Sequence, residues 1–225
     1  MQYTNIVLGI PHAVGKPSDI DWTNNPKVVD EVNRWTDWFT DELFLVGRKE
    51  ISAVPGFISR FDCDVERLEN EPDRICRFCS LYGEGLEREV PASRWNRRLA
   101  QWFKYRYGLM LAVAQGERPI ILDCHSFPSD LAADVDIDLG YNDDGSRPPD
   151  EVIAAVTDIF QEAGYRVGVN RPYANAIAPL SYRGHSLMIE INKRCYMDEA
   201  KLCKHEGFAR CHKCLERVYS TLLKK

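Results

Sequence analysis

Pro119-Ile120-Ile121-Leu122-Asp123-Cys124-His125-Ser126-Phe127-Pro128 is the stretch that decides the fold. Three aliphatic residues behind a proline, with a second proline closing the run, read as a short strand buried on both faces. At its C-terminal end the character changes to Asp-Cys-His-Ser. Open α/β sheets place their ligands there, in the crevice beyond the carboxyl ends of the strands. His125 is therefore the first candidate for a metal ligand in a hydrolase.

The neighbouring segments repeat this design. Asn5 to Ile10 is a second apolar run, ended by Pro11-His12-Ala13-Val14-Gly15. Pro26 to Gly47 carries Val28, Val29, Val32, Trp35, Phe39, Leu43 and Phe44 mostly at helical spacings, with Asn25 as N-cap and Pro26 in the first turn. Glu50 to Phe61 suggests a strand or two, interrupted at Pro55-Gly56. A charged loop follows to about Pro91, and Ser93 to Gly116 reads as a second long helix feeding the opening strand. Asp134 to Gly140 alternates carboxylates with aliphatics. Pro149 to Gly164 reads as a helix, Tyr165 to Val169 as a strand, Ser186 to Ile191 as a strand carrying Glu190, and Asp198 to Leu223 as a closing helix. Strands alternating with helices predict a three-layer α/β fold, a mostly parallel mixed sheet flanked by helices, in one domain over residues 1–225.

Composition narrows the function classes. With 44% hydrophobic and 28% charged residues the chain has a globular make-up. A formal charge of -5 and the lack of a basic stripe argue against nucleic acid as a partner. No run approaches the roughly 18 apolar residues of a membrane span, and Met1 to Asn5 lacks a basic leader, so the expected location is the cytoplasm. Among eight cysteines, Cys76/Cys79 and Cys211/Cys214 have C-x-x-C spacing. Reduced, ordinary thiols are expected there rather than a thiolate metal site. Cys124 beside His125 makes a poor nucleophile–base pair, because adjacent strand residues face opposite ways.

Two histidines and a carboxylate form a common hydrolytic zinc set, and a further carboxylate on an apolar strand suits a general base. Arginines nearby suit a substrate carboxylate. Asp62 and Asp64 would share a face of a regular strand, so spacing leaves either as ligand. Asp123, two residues before His125, could orient the imidazole from behind or cap a backbone N–H.

Six pieces, in order over most of the chain, resemble the N-formylglutamate amidohydrolase family. They are Pro11-His12-Ala13-Val14-Gly15, Asp64-Val65-Glu66-Arg67, Asp123-Cys124-His125-Ser126-Phe127, Asp136-Ile137-Asp138-Leu139-Gly140, Asn170-Arg171-Pro172-Tyr173, and His185 to Glu190 followed by Tyr196-Met197. The chain departs from the family's pattern at Ala13-Val14, at Glu66 where asparagine is usual, and at Ala174-Asn175-Ala176. The resemblance implies a zinc-exopeptidase-like fold and hydrolysis of a small-molecule N-acyl amino acid such as N-formylglutamate. It implies zinc on His12, Asp64 and His125, and Glu190 as general base with Arg67 as a second catalytic group. Arg60, Asn170, Arg171 and His185 would bind substrate. A zinc carboxypeptidase or aminoacylase acting on another amide, and an inactive binding domain of the same fold, are the alternative readings.

Overall fold

A computed structural model describes residues 3–18, 26–67, 92–178 and 182–223, and the backbone of 78–79 and 88–89. In chain order the elements are β1 (Asn5–Ile10), α1 (Pro26–Trp35), α2 (Thr40–Leu43), β2 (Ile51–Pro55), β3 (Phe78–Cys79), β4 (Arg88–Glu89) and α3 (Ala92–Val113). There follow β5 (Pro119–Phe127), β6 (Ile137–Gly140), α4 (Asp150–Glu162), β7 (Val167–Val169), β8 (His185–Asn192), β9 (Met197–Asp198), β10 (Cys203–Lys204) and α5 (Gly207–Leu222).

Six strands form one sheet in the order β2-β1-β5-β8-β6-β7. β2, β1, β5 and β8 are mutually parallel, while β6 runs antiparallel to β8 and parallel to β7. The alternation of side chains sorts each central strand between two cores. Ile6, Leu8 and Ile10 of β1 join Ile120, Leu122 and Cys124 of β5 and Leu187, Ile189 and Ile191 of β8 under α4 and α5. Val7 and Ile121 face the other way, against Trp102, Tyr105 and Leu109 of α3. Asp123 and His125 have the parity of Ile121, and Glu190 has the parity opposite to Ile189. All three therefore lie on the α3 face. The three-layer, mostly parallel α/β architecture is the one the sequence predicts.

Two helices are shorter than their patterns suggest. The helix expected to Gly47 stops at Trp35, and Phe39 takes a left-handed φ of 64° before α2. The chain is turned there by tertiary partners: the Asp37 N–H donates to the His12 carbonyl (3.0 Å), the Trp38 indole N–H donates to the Asn33 carbonyl (3.0 Å), and the Lys193 ammonium caps the Arg34 carbonyl. The closing helix begins at Gly207 because residues before it pair as the β9–β10 hairpin. Gly56 has room for no side chain, since a Cβ there would come within 2.0 Å of the Pro11 carbonyl oxygen. This close approach fixes the exit of β1 just ahead of His12.

Cys211 and Cys214 are reduced and buried on α5, and the Cys211 sulfur lies 3.2 Å from the Tyr165 hydroxyl. Cys76 lies outside the described residues, as does the side chain of Cys79. No helix among the described residues is long and apolar enough to cross a membrane.

Candidate active site

The parallel strands deliver their polar ends to one place. β5 and β8 are in register so that His125 stands beside Glu190. His12 follows the end of β1, its ring centroid 5.2 Å from that of His125. Both imidazoles are buried, at 2% and 5% exposure. A cavity of about 590 Å³ opens over them, lined also by Trp35, Arg60, Arg67, Arg106, Tyr173 and Met188.

Each histidine is gripped by carboxylates. His125 Nδ1 is 3.1 Å from Asp37 Oδ2, and His125 Nε2 is 3.1 Å from both Glu66 Oε1 and Asp123 Oδ1. His12 Nε2 is 3.0 Å from Asp64 Oδ1. His12 Nδ1 is buried with no hydrogen-bond partner among the described residues, 3.8 Å from Glu66 Oε2. One donor atom from each of His12, Glu66 and His125 lies within 4.8 Å of the others, so these three could hold a metal ion. The fit is physical as well as geometric. A four-coordinate ion with bonds of about 2.1 Å keeps its donor atoms roughly 3.4 Å apart. The 3.1 Å and 3.8 Å separations from the two Glu66 oxygens bracket that spacing. An orphaned imidazole nitrogen surrounded by excess carboxylate is a site short of positive charge.

The electrostatics of the single groups follow from their surroundings. Burial would raise Asp64, but the charge of His12, then Arg60 and Arg67, holds it well below the usual carboxylate range. Burial would likewise raise Glu66, yet the His125 charge and hydrogen bond hold it low. Asp123 is pushed up to about 7 by burial and by the Glu66 charge, against the opposing pull of His125. Glu190 is pushed up to about 8, first by burial; His125 opposes this, while Asp37, Asp138 and Glu66 add to it. Its Oε2 is buried with no hydrogen-bond partner among the described residues. A desolvated carboxyl of that kind, beside the His12–Glu66–His125 cluster and facing a cavity, is equipped to accept and return a proton.

The structure brings together His12, His125, Glu190, Asp64, Arg60 and Arg67, and it revises the roles of several residues. Asp64, expected as third metal ligand, turns one oxygen to His12 and the other to Arg67 Nε (3.1 Å) and Arg60 Nη2 (3.6 Å). Glu66, two residues on, holds the position between the histidines instead. Asp62 accepts the Ser18 N–H and hydroxyl, and residues 60–64 form a turn and irregular chain, not the regular strand supposed. Asn170 and Arg171 do not line the cavity. The Asn170 Oδ1 accepts the Tyr141 N–H, and the Arg171 guanidinium reaches outward to Asp134 at 2.6 Å. His185 opens β8 at the opposite end of the sheet, with Tyr3 Oη 2.7 Å from its Nδ1. Five residue steps along the strand separate it from Glu190, roughly 16 Å.

Three side chains of the site were not read from the sequence. Glu66 was visible only as a departure from the family's pattern. Asp37 fell inside a predicted helix and carried no signal. Arg106 did carry one: with Trp102, Tyr105 and Leu109 it occupies core-facing spacings of α3, where a charged residue needs a reason. The two readings of Asp123, a partner of the imidazole or a cap on a backbone N–H, both hold: its Oδ1 lies 3.1 Å from His125 Nε2, on the Glu66 side of the ring, and its Oδ2 accepts the Ile177 N–H (2.7 Å), while Asp37 takes the rear position.

Comparison with known proteins agrees with this architecture. The family model described as N-formylglutamate amidohydrolase matches residues 4–197. The crystal structure of N-formylglutamate amidohydrolase from Ralstonia eutropha JMP134 is similar at a TM-score of 0.80 and 21% identity, covering 100% of this chain and 94% of that one. A gene product of Agrobacterium tumefaciens is similar at a TM-score of 0.68 and 15% identity, covering 97% and 92%. A search of curated proteins found no match.

Proposed function

The chain belongs to the N-formylglutamate amidohydrolase family and is a hydrolase of that type, and from that premise we propose that it cleaves the amide bond of an N-acyl amino acid, with zinc held by His12, Glu66 and His125. The observation that carries the reading is the convergence of His12, Glu66 and His125 within 4.8 Å, next to a buried carboxyl in register with His125. When bound, the metal supplies Lewis acidity, polarising the acyl carbonyl and making water more acidic.

The chain's own residues supply the rest. Glu190 takes the proton of the attacking water and returns it to the departing amine, a role suited to a carboxyl raised toward neutrality by burial. Asp37 fixes the His125 ring, and Asp64 fixes the His12 ring, so the cluster is held before substrate arrives. Trp35 and Tyr173 wall the cavity and limit water around the reacting amide. Arg67, beside Asp64, is the guanidinium assigned to the developing oxyanion. Two imidazole nitrogens beside one carboxylate favour zinc over the harder oxygen-seeking cations. The reading takes the protein to be a small-molecule enzyme of the cytoplasm, without nucleic-acid or membrane partners.

Elemental analysis of the purified protein tests the metal, and Glu190→Gln tests the base. Zinc is expected near one equivalent in both proteins, with turnover in the variant down by about 10²- to 10⁴-fold. A protein without zinc whose amidase activity ignores chelators would sink the metal reading, and near-normal turnover in Glu190→Gln would remove the base.

A further inference from the structure

A surface helix ordinarily carries one apolar stripe and a polar opposite face, but α3 carries two apolar stripes. Trp102, Tyr105, Leu109 and Ala112 form the inner one and are buried against the sheet. Ala100, Phe103, Tyr107, Met110 and Ala114 form the outer one, and all of them are exposed. Their spacing alternates between three and four residues, which aligns them along the helix as the a and d positions of a seam that fits a second helix. Phe103 is 57% exposed and Tyr107 61%. Leu111, 49% exposed, widens the stripe, as does Phe57, which sits 4.0 Å below the Lys104 ammonium. At about 200 Å² for a full side chain, Phe57, Phe103, Tyr107, Met110 and Leu111 together leave roughly 500 Å² open. A patch of that size is as large as any on a typical monomer. A stable interface takes about 800 Å² from each partner, so this patch supplies the apolar centre and a rim of ordinary size completes it.

Charge decides which helix fits. Residues 92–116 contain no Asp or Glu, and Arg97 and Lys104 stand exposed beside the seam. Parallel pairing of two copies would set these cations against each other. Antiparallel pairing about a two-fold axis at Tyr107 separates them and brings Arg97 of one protomer to the exposed Glu117 of its partner. In that register Phe103 meets Leu111, Met110 lies along the Lys104 stem, and the small residues Ala100 and Ala114 let the backbones approach. We infer that the outer face of α3 is a homodimer interface, in which two copies of this chain pair antiparallel through Phe103, Tyr107, Met110 and Leu111. An isologous contact of this kind closes on itself and stops at two chains.

Sedimentation equilibrium of the purified full chain tests this. A mass near twice 25.9 kDa is expected at about 10 µM protein. Tyr107→Glu puts a charge at the two-fold axis on a side chain that the single chain leaves exposed. Circular dichroism should therefore show an intact fold, while dimerisation weakens by about 30-fold or more, the scale of a central aromatic anchor. Met110→Glu should act in the same direction. Arg97→Glu should weaken the dimer by about fivefold, and adding Glu117→Arg should restore it. A wild type that stays monomeric at about 100 µM overturns the inference. So does a dimer that survives both Tyr107→Glu and Met110→Glu, since its contact then lies elsewhere. A monomer that pellets with phosphatidylglycerol vesicles overturns it in favour of an anionic lipid surface, and failure of the charge exchange to rescue overturns the antiparallel register.

Discussion

Replacing Asp37 by asparagine removes the charge behind His125 without removing its shape. The carboxylate sits 3.1 Å from His125 Nδ1, and both side chains are buried. Coulomb's law with an effective dielectric near 20 gives about 5 kcal/mol for two full charges at that distance, an upper bound before desolvation. Three features reduce it. Asparagine can still accept the Nδ1 hydrogen through its amide oxygen, so the ring keeps its orientation. Glu66 and Asp123 stay at 3.1 Å from the other ring nitrogen. Asp37 also crowds the other carboxylates, and its removal relieves that repulsion. What remains is the loss typical of a ligand-orienting carboxylate, about 10- to 100-fold in metal affinity, or roughly 1.4 to 2.7 kcal/mol. Competition against a chromophoric zinc chelator reads this directly, with far-ultraviolet circular dichroism to verify the fold. Asp37→Ala should weaken zinc further, because it leaves Nδ1–H buried without an acceptor. Zinc affinity within about twofold of wild type in Asp37→Asn would refute the reasoning, and equal losses in both variants would show that charge, not ring orientation, is what Asp37 supplies.

Two further predictions test other parts of the molecule. His185→Ala should leave kcat/KM within about twofold while lowering stability by about 1 kcal/mol through the lost contact with the Tyr3 hydroxyl; a large loss of activity would return His185 to the site. Asp136 accepts hydrogen bonds from Arg166 Nε (2.9 Å) and Arg194 Nη2 (2.7 Å), and although burial alone would raise it, those bonds hold it well below the usual carboxylate range. Its contribution is therefore present above the unfolded-state value near pH 4 and fades as pH falls through the depressed folded value. Asp136→Asn should cost about 1–2 kcal/mol at neutral pH and less at about pH 3, measured by denaturant unfolding; a gap that widens on acidification would contradict the assignment.

The helix around Asp37 shows how far pattern reading reaches. Apolar residues from Val28 to Phe44 recur at helical spacing in the sequence, and local pattern has no means of ending the helix at Trp35. The ending comes from elsewhere in the chain: the His12 carbonyl takes the Asp37 N–H and the Lys193 ammonium takes the Arg34 carbonyl. β5 behaves in the opposite way. Its run between two prolines is buried on both faces whatever surrounds it, so strand, burial and the emergence of His125 all follow from composition alone.

What the amino-acid order determined by itself was the set of strands, the alternating helices, and the polar residues at strand ends, because hydrophobic periodicity and chain-breaking residues act locally. Sequence resemblance added the roles expected of Glu190 and the two histidines. Tertiary structure alone decided which carboxylate stands between those histidines, which one stands behind them, and which arginines are already paired. Val65 separates Asp64 from Glu66 in the sequence, and in a regular strand both carboxylates would face the same way. In the turn that the chain makes there, one carboxylate meets Arg60 and Arg67 while the other meets His125. That division depends on where β1, β5 and α1 bring their ends together in space, and charge pairing across such distances leaves no local signal in the chain.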